Sequence, residues 1–236
     1  MKEIFDDYLR ISLGEEQQAT RKFKQFERNY RRFFPQDRQA RLLDIGVGRG
    51  EMLSCMKDWG YRHYLGIDIS PTTIGFCQRL GLNCQQVEDS TRFLLQHPQT
   101  YALISLIDVL EHIRKEHVIA FLAAVKGALA PGGVVIIQVP NLQAPDGQLH
   151  RYNDITHEVG YIEHSLAQVL MASGFERFRF QGFEEFVFGT PVEWLRRLFR
   201  ACHWLVVRFL RGVDGNINPA ILHPVFCAIA RKDETL

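Results

Sequence analysis

Residues 1–40 carry apolar side chains at helical spacing. Ile4, Phe5, Tyr8 and Leu9 form one set, and Phe23, Phe26, Tyr30, Phe33 and Phe34 a second. Pro35 ends the pattern. Arg21, Lys22, Lys24, Arg28, Arg31 and Arg32 crowd the second half, which reads as the solvated face of a lid or brace helix. From Arg41 to Pro140 short apolar runs alternate with amphipathic segments. LLDIGV, YLGIDI, NCQQV, YALISLI and GVVIIQV each suit a strand buried on both faces. Helices are expected over 49–59, 71–81, 90–96 and 115–129. Residues 141–160 are polar and rich in turn formers, and read as a loop. SLAQVLMASGF reads as a helix stopped by Gly174, and FERFRFQGFEEF and HPVFCAIAR as two further strands. The alternation predicts a doubly wound, mostly parallel α/β sheet of seven strands. A helical extension (1–40) precedes the main domain (41–236), and a helix (190–212) is inserted before the last strand.

The composition fits a globular chain. Of 236 residues, 46% are hydrophobic and 23% charged, which excludes wholesale disorder. The 28 Lys and Arg nearly balance the 27 Asp and Glu, so net charge implies no nucleic-acid partner. The cysteines (55, 77, 84, 202 and 227) contain no CxxC pair, and read as reduced thiols rather than a disulfide framework or zinc site. The N-terminus lacks the apolar core of a secretory signal, and no apolar run reaches ~18 residues, so the expected location is the cytoplasm.

Candidate chemistry begins at the first strand. Asp44, Gly46, Gly48 and Gly50 follow it directly and precede a helix, and glycines there let a ligand approach main-chain N–H groups. A dinucleotide fingerprint would place its third glycine at position 51, where this chain has Glu51, so the loop leans away from an NAD-dependent oxidoreductase. Asp68 ends the next strand, where a carboxylate can accept both ribose hydroxyls of a nucleoside. Its plainer role is as an acid at a helix start, since Pro71 opens a helix.

At these residues the chain resembles the class I S-adenosylmethionine-dependent methyltransferases. LLDIGVGRGEML, YLGIDIS, VEDSTRFL, ISLIDVLEHI and LAPGGVVIIQVPN occur in the family's order and spacing, covering Leu42 to Asn141. The resemblance implies a Rossmann-like fold and S-adenosylmethionine as cofactor, with S-adenosylhomocysteine as product. It implies that Asp44 and the Gly46–Gly48–Gly50 loop hold the methionine part. Asp68 would bind the ribose, Ile69 would pack on the adenine, and Asp89 with Ser90 would reach its amino group. Ile107 and Asp108 would line the methyl-transfer mouth. One departure is Ala102, where many relatives carry Asp; it lies at the far end of its strand from the cofactor.

Acceptor chemistry is sought in RYNDITHEVGYIEHSL, which holds Asp154, His157, Glu158, Glu163 and His164. His157 is the first candidate for a general base, oriented by Asp154 or Glu158. The alternative is a turn whose polar groups satisfy local backbone. The segment is similar to bacterial methyltransferases acting on polysaccharide sugars, which implies O-methylation of a sugar hydroxyl in a glycan or glycolipid precursor. A second reading is a quinone or small-aromatic O-methyltransferase: in that related branch acids and a histidine hold a divalent cation, and Asp108, Glu111 and His112 lie at converging spacing. The preferred reading makes Glu111 and His112 helix-start structure, and no metal is expected. A third reading is an inactive cofactor-binding module, against which the intact Asp44, glycine loop and Asp68 speak.

Residues 191–212 alternate apolar side chains with Arg196, Arg200, His203, Arg208 and Arg211. A basic amphipathic helix suits the inner face of a membrane; packing over the cleft or against a second subunit explains the same pattern. Arginines through its middle argue against a transmembrane span.

Overall fold

The computed structural model describes Ile4 and residues 19–185 and 190–233. Phe5, Tyr8 and Leu9 lie outside them. The elements in chain order are α1 (Ala19–Tyr30), β1 (Arg41–Ile45), α2 (Glu51–Asp58), β2 (His63–Asp68), α3 (Pro71–Arg79), β3 (Cys84–Gln86), α4 (Ser90–Leu95) and β4 (Tyr101–Ile107). There follow α5 (Val118–Ala128), β5 (Leu129–Pro140), α6 (Gly147–Tyr152), α7 (Glu163–Ala172), β6 (Arg177–Gly182), α8 (Thr190–Val213) and β7 (Val225–Arg231).

The strands form one sheet in the order β3-β2-β1-β4-β5-β7-β6. The first five run parallel; β7 pairs antiparallel with β5, and β6 antiparallel with β7. Both faces are covered, as the continuous apolar runs require. Leu43 and Ile104 face a core with Phe121, Leu122 and Leu166; their neighbours Leu42 and Leu103 face the other with Tyr30, Leu53 and Met56. Chain order reverses direction between β1 and β4, and a crevice opens there beyond the strands' carboxyl ends.

Helix ends follow local chemistry. Ser70 caps α3 by accepting the Thr73 amide, with Pro71 at the first turn, and Asp89 caps α4 by accepting the Arg92 amide. Gly174, at φ +87°, ends α7. Two expectations change. Residues 115–129 divide into a 3-10 turn, Lys115–His117, and α5, which ends at Ala128. Within 141–160 the helix α6 forms, and Asn141 holds the start of this segment by donating to the Ile221 and His223 carbonyls.

The first helix is part of the core. Tyr30 is fully buried, and its hydroxyl meets Gln138 and Cys227. Asn29 donates to the Glu184 carbonyl and accepts the Glu184 amide, clamping α1 to the segment after β6. The basic residues of this region are not simply solvated: Arg31 lies 5.0 Å over the Trp59 ring, and Lys22 pairs with Glu51. No helix of the described residues is long and apolar enough to cross a membrane.

Candidate active site

The crevice encloses about 700 Å³. Its floor is the loop Gly46–Val47–Gly48, held where Gly46 N–H donates to Ile67 O at 2.8 Å. Gly46 has φ +74°, and a Cβ there would meet Val109 Cγ2 at 2.5 Å. Gly48 differs: within 4 Å a Cβ would meet only Glu51 Oε2, at 3.9 Å, so this stretch of backbone is open to a ligand. Gly50 does not line the crevice. Its missing Cβ makes room for Leu82 and Cys77, so it serves packing behind the loop. The other residues expected to hold the cofactor (Asp44, Gly46, Gly48, Asp68, Ile69, Asp89, Ser90, Ile107 and Asp108) all line the one crevice.

Each acid has its own environment. Asp44 is 2% exposed and accepts a hydrogen bond from Ser105 Oγ at 2.5 Å. Burial pushes its pKa up to about 8, against the stabilising Ser105 bond. Asp68 accepts the Ser70 amide at 2.8 Å and lies by the Val47 and Gly48 amides; burial raises its pKa, and these donors oppose the rise. Asp89 spends one oxygen capping α4. Asp108 follows β4 at φ +55°, a conformation costly for a residue other than glycine. Gln138 Nε2 donates to both its oxygens at 2.9 Å, and Tyr30 donates in turn to Gln138. Surrounding protein raises the Asp108 pKa and the Gln138 amide lowers it, while part of the side chain stays open to crevice water.

Lys22 and Phe26 of α1 and Glu51 and Met52 of α2 complete one wall, with Lys22 and Glu51 paired at 3.1 Å. The expectations for the crevice omitted these residues, and also Ser105 and Gln138. Ser105 and Gln138 did leave a signal, being hydroxyl and amide side chains inside otherwise apolar strand runs. Lys22 left none, because nothing local says which side chain of a distant helix crosses the loop.

Beyond β4 lies a second group. Asp154 Oδ1 accepts both the amide and the hydroxyl of Thr156, at 2.8 and 2.6 Å. Thr156 Oγ1 is also 2.8 Å from His112 Nδ1. Thr156 Oγ1 gives its proton to Asp154, and His112 also bonds the Thr156 backbone, so the ring is fixed by this loop. Burial and the neighbouring His157 lower the His112 pKa to about 4, so the ring is neutral at neutral pH. His112 lines the crevice; His157 does not, and its ring packs against His112 with centroids 4.7 Å apart. Glu158, Glu163 and His164 lie apart from the crevice lining, and Glu163 accepts the Ile221 amide.

Glu111 is buried, and neither carboxylate oxygen has a hydrogen-bond partner on another residue. Burial and the nearby Asp108 raise its pKa well above the usual range. One donor atom each from Glu111, His112 and His157 falls within a 4.8 Å span. The set expected from spacing therefore changes membership: Asp108 is committed to Gln138, and His157 takes its place. Main-chain bonds secure the arrangement, since Glu158 N and Val159 N both donate to Glu111 O.

The sequence profile of the methyltransferase-domain family matches residues 17–177, well over half of the chain. No curated protein is significantly similar. Among solved structures, a SAM-dependent methyltransferase from Archaeoglobus fulgidus is 22% identical, with a TM-score of 0.70 over 97% of this chain and 98% of that one. The Burkholderia thailandensis 1,6-didemethyltoxoflavin-N1-methyltransferase, solved with 1,6-didemethyltoxoflavin and S-adenosylhomocysteine, is 17% identical at a TM-score of 0.58, covering 98% of this chain and 85% of that one. The Haemonchus contortus phosphoethanolamine N-methyltransferase 2, solved with S-adenosyl-L-methionine, is 16% identical at a TM-score of 0.60, covering 98% of this chain and 60% of that one. The chain belongs to the methyltransferase-domain family, and its fold is that of the S-adenosylmethionine-dependent methyltransferases.

Proposed function

We propose that the protein transfers a methyl group from S-adenosylmethionine to a hydroxyl of a small acceptor, a sugar in a glycan or glycolipid precursor. The observation that carries the cofactor assignment is Asp44, a buried carboxylate beside an open glycine loop whose one side-chain partner by hydrogen bond, Ser105, leaves its charge uncompensated. A cationic amine at that place offsets the desolvation of the carboxylate. Gly46 lets the loop turn against Val109 and Gly48 leaves the backbone open to the ligand's polar groups, Asp68 accepts its ribose hydroxyls, and Ile69 packs on its base. Asp89 and Ser90 stand at the crevice edge that the base would occupy. When bound, the cofactor supplies a methyl group on a sulfonium, a good neutral leaving group.

The protein's remaining task is positioning, which supplies on the order of 7–11 kcal/mol in well-oriented reactions. Asp108, held by Gln138, shapes the mouth of the crevice with Ile107. His112 lines the crevice, is neutral and is held by Thr156, which Asp154 anchors; it takes the acceptor's proton, with His157 packed behind it. The sugar assignment rests on the D-I-T-H-E segment and its resemblance to polysaccharide methyltransferases.

A second reading is favoured by Glu111, His112 and His157, whose donors suit a divalent cation that would draw a quinol or catechol oxygen toward the crevice. Calorimetric titration with S-adenosylmethionine, S-adenosylhomocysteine and NAD tests the cofactor. Binding of the first two alone is expected, and binding of NAD alone would overturn the proposal. Methyl transfer to sugar and catechol acceptors, with and without EDTA, then separates the two readings. Activity on sugars unaffected by EDTA supports the first, and EDTA-sensitive activity on catechols the second.

A further inference from the structure

Helix α8 is amphipathic with its faces reversed. Its partly covered positions, recurring every three or four residues, include Glu193, Arg196, Arg197, Arg200, Trp204, Arg208 and Arg211. They face the protein body and its flanking segments. Arg200 pairs with Glu184 at 3.0 Å, and Glu184 also meets His223 at 2.9 Å. Trp204 packs on the His223 ring, Arg211 donates to Gln143 O, and Arg208 to Ala220 O. Arg196 and Arg197 are held by Glu193 of the same helix. Arg196, Arg200, Arg208 and Arg211 are therefore engaged by protein groups, while Arg197, its side chain 40% exposed, stands at the border of the exposed face.

The exposed face is apolar but for His203. From 192 to 213 no exposed position is Lys, Arg, Asp or Glu, and Phe199 and Phe209 are 68% and 69% exposed. Its side chains follow a strict alternation of three and four, from Val192 through Leu195, Phe199, Cys202, Val206 and Phe209 to Val213. That spacing has a period of 3.5 residues, the seam of two helices that wind together, sustained for about three heptads. Leu198, Leu205 and Leu210 flank the seam, and Ala201, Cys202 and Gly212 are small enough for another helix to come close.

We propose that this face pairs with the same face of a second copy, so that the protein is a dimer joined through two α8 helices. The area is sufficient: large side chains exposed to this degree along one helix present on the order of 1,000 Å² per chain, against about 800 Å² that a standard interface takes from each partner. A lipid surface is the competing occupant. It is disfavoured because an interfacial helix gains from basic side chains bordering its apolar face, and here most of the arginines are engaged by protein groups, leaving only Arg197 and His203 at the border.

Sedimentation velocity of the full chain tests the proposal, together with cross-linking by a short bismaleimide. Cys202 is exposed and the other four cysteines are buried, so Cys202 alone is available to the reagent. The expected result is twice the chain mass, with two chains joined at Cys202. Cys202→Ser should abolish the cross-link and keep the dimer. Phe199→Asp with Phe209→Asp should weaken the dimer about 30-fold or more, and the thermal midpoint, which rises with protein concentration in the parent, should become independent of concentration while the monomer stays folded. A chain that stays monomeric at all concentrations overturns the proposal. So does a monomer that sediments with phosphatidylcholine vesicles and loses that binding in the double variant, which would give the face to lipid. A monomer whose Cys202 does not react would mean that the chain covers the face itself, and overturns it too.

Discussion

Asp44→Asn replaces a buried carboxyl by an amide of the same shape, and so isolates the cost of one charge. Asp44 is 2% exposed, and its pKa stands at about 8 against an ordinary aspartate value near 3.8. Between those values the folded chain holds the proton more tightly than the unfolded chain. Stability therefore falls as pH rises from about 4 to about 8, and levels off above. A tenfold difference in proton affinity between the two states is worth about 1.36 kcal/mol, so the rise of the carboxyl from 3.8 to about 8 sets a ceiling of about 6 kcal/mol. Relaxation toward crevice water reduces this, and a change of about 2 kcal/mol or more should survive. Asparagine does not titrate. Any mispairing of its amide with Ser105 adds a pH-independent offset. Urea unfolding of the ligand-free chain and the variant at pH 5 and pH 8 gives the test: the variant should gain at least about 2 kcal/mol on the parent across that interval. The same variant should bind S-adenosylmethionine at least about 10-fold more weakly, a loss of about 1.4 kcal/mol. A stability difference that stays constant with pH would refute the reasoning, for Asp44 would then ionise as an exposed aspartate does.

Four further substitutions separate the parts of the site. Gly46→Ala forces a side chain into positive φ and against Val109; a loss of about 2–4 kcal/mol is expected in thermal or chemical unfolding. Gly48→Ala is also held at positive φ, at a cost of about 1–2 kcal/mol, but its Cβ meets no close neighbour, so it should impair cofactor affinity, measured by calorimetry, more than stability. Tyr30→Phe removes the hydroxyl that meets Gln138, at an expected cost of about 1–3 kcal/mol, and should raise the KM for the cofactor through the loosened Gln138–Asp108 contact. Thr156→Val cuts the link between Asp154 and His112. It should lower kcat about 10- to 100-fold without changing cofactor affinity, and Thr156→Ser should restore the rate.

Much of the architecture is local in origin and could be read from residue order. Apolar runs such as LLDIGV and GVVIIQV can only be central strands, because both faces of the chain need cover, and Ser70–Pro71 and Gly174 mark helix ends through one or two residues' own geometry. The glycine loop and Asp68 were legible for the same reason: a strand ending in Asp and Gly positions a ligand by itself. Gly50 misled because a glycine that clears room for Leu82 and Cys77 looks the same in sequence as one that faces a ligand.

What lay beyond the sequence depends on contacts between residues far apart in the chain. Periodicity showed that 190–212 has two faces, but only tertiary structure decided that most of the arginines turn inward, since Glu184 and His223, which receive that side, belong to other segments. Likewise Asp154 and His157 stand close in sequence, yet Asp154 bonds Thr156 and through it reaches His112, forty-four positions before Thr156. The sequence by itself determined the strands, the loop and the cofactor-side acids, because each follows from a few adjacent residues. The fold decided which acid is buried, which histidine faces the crevice and which side of the last helix is left bare, because burial and hydrogen-bond partnership are properties of the assembled chain.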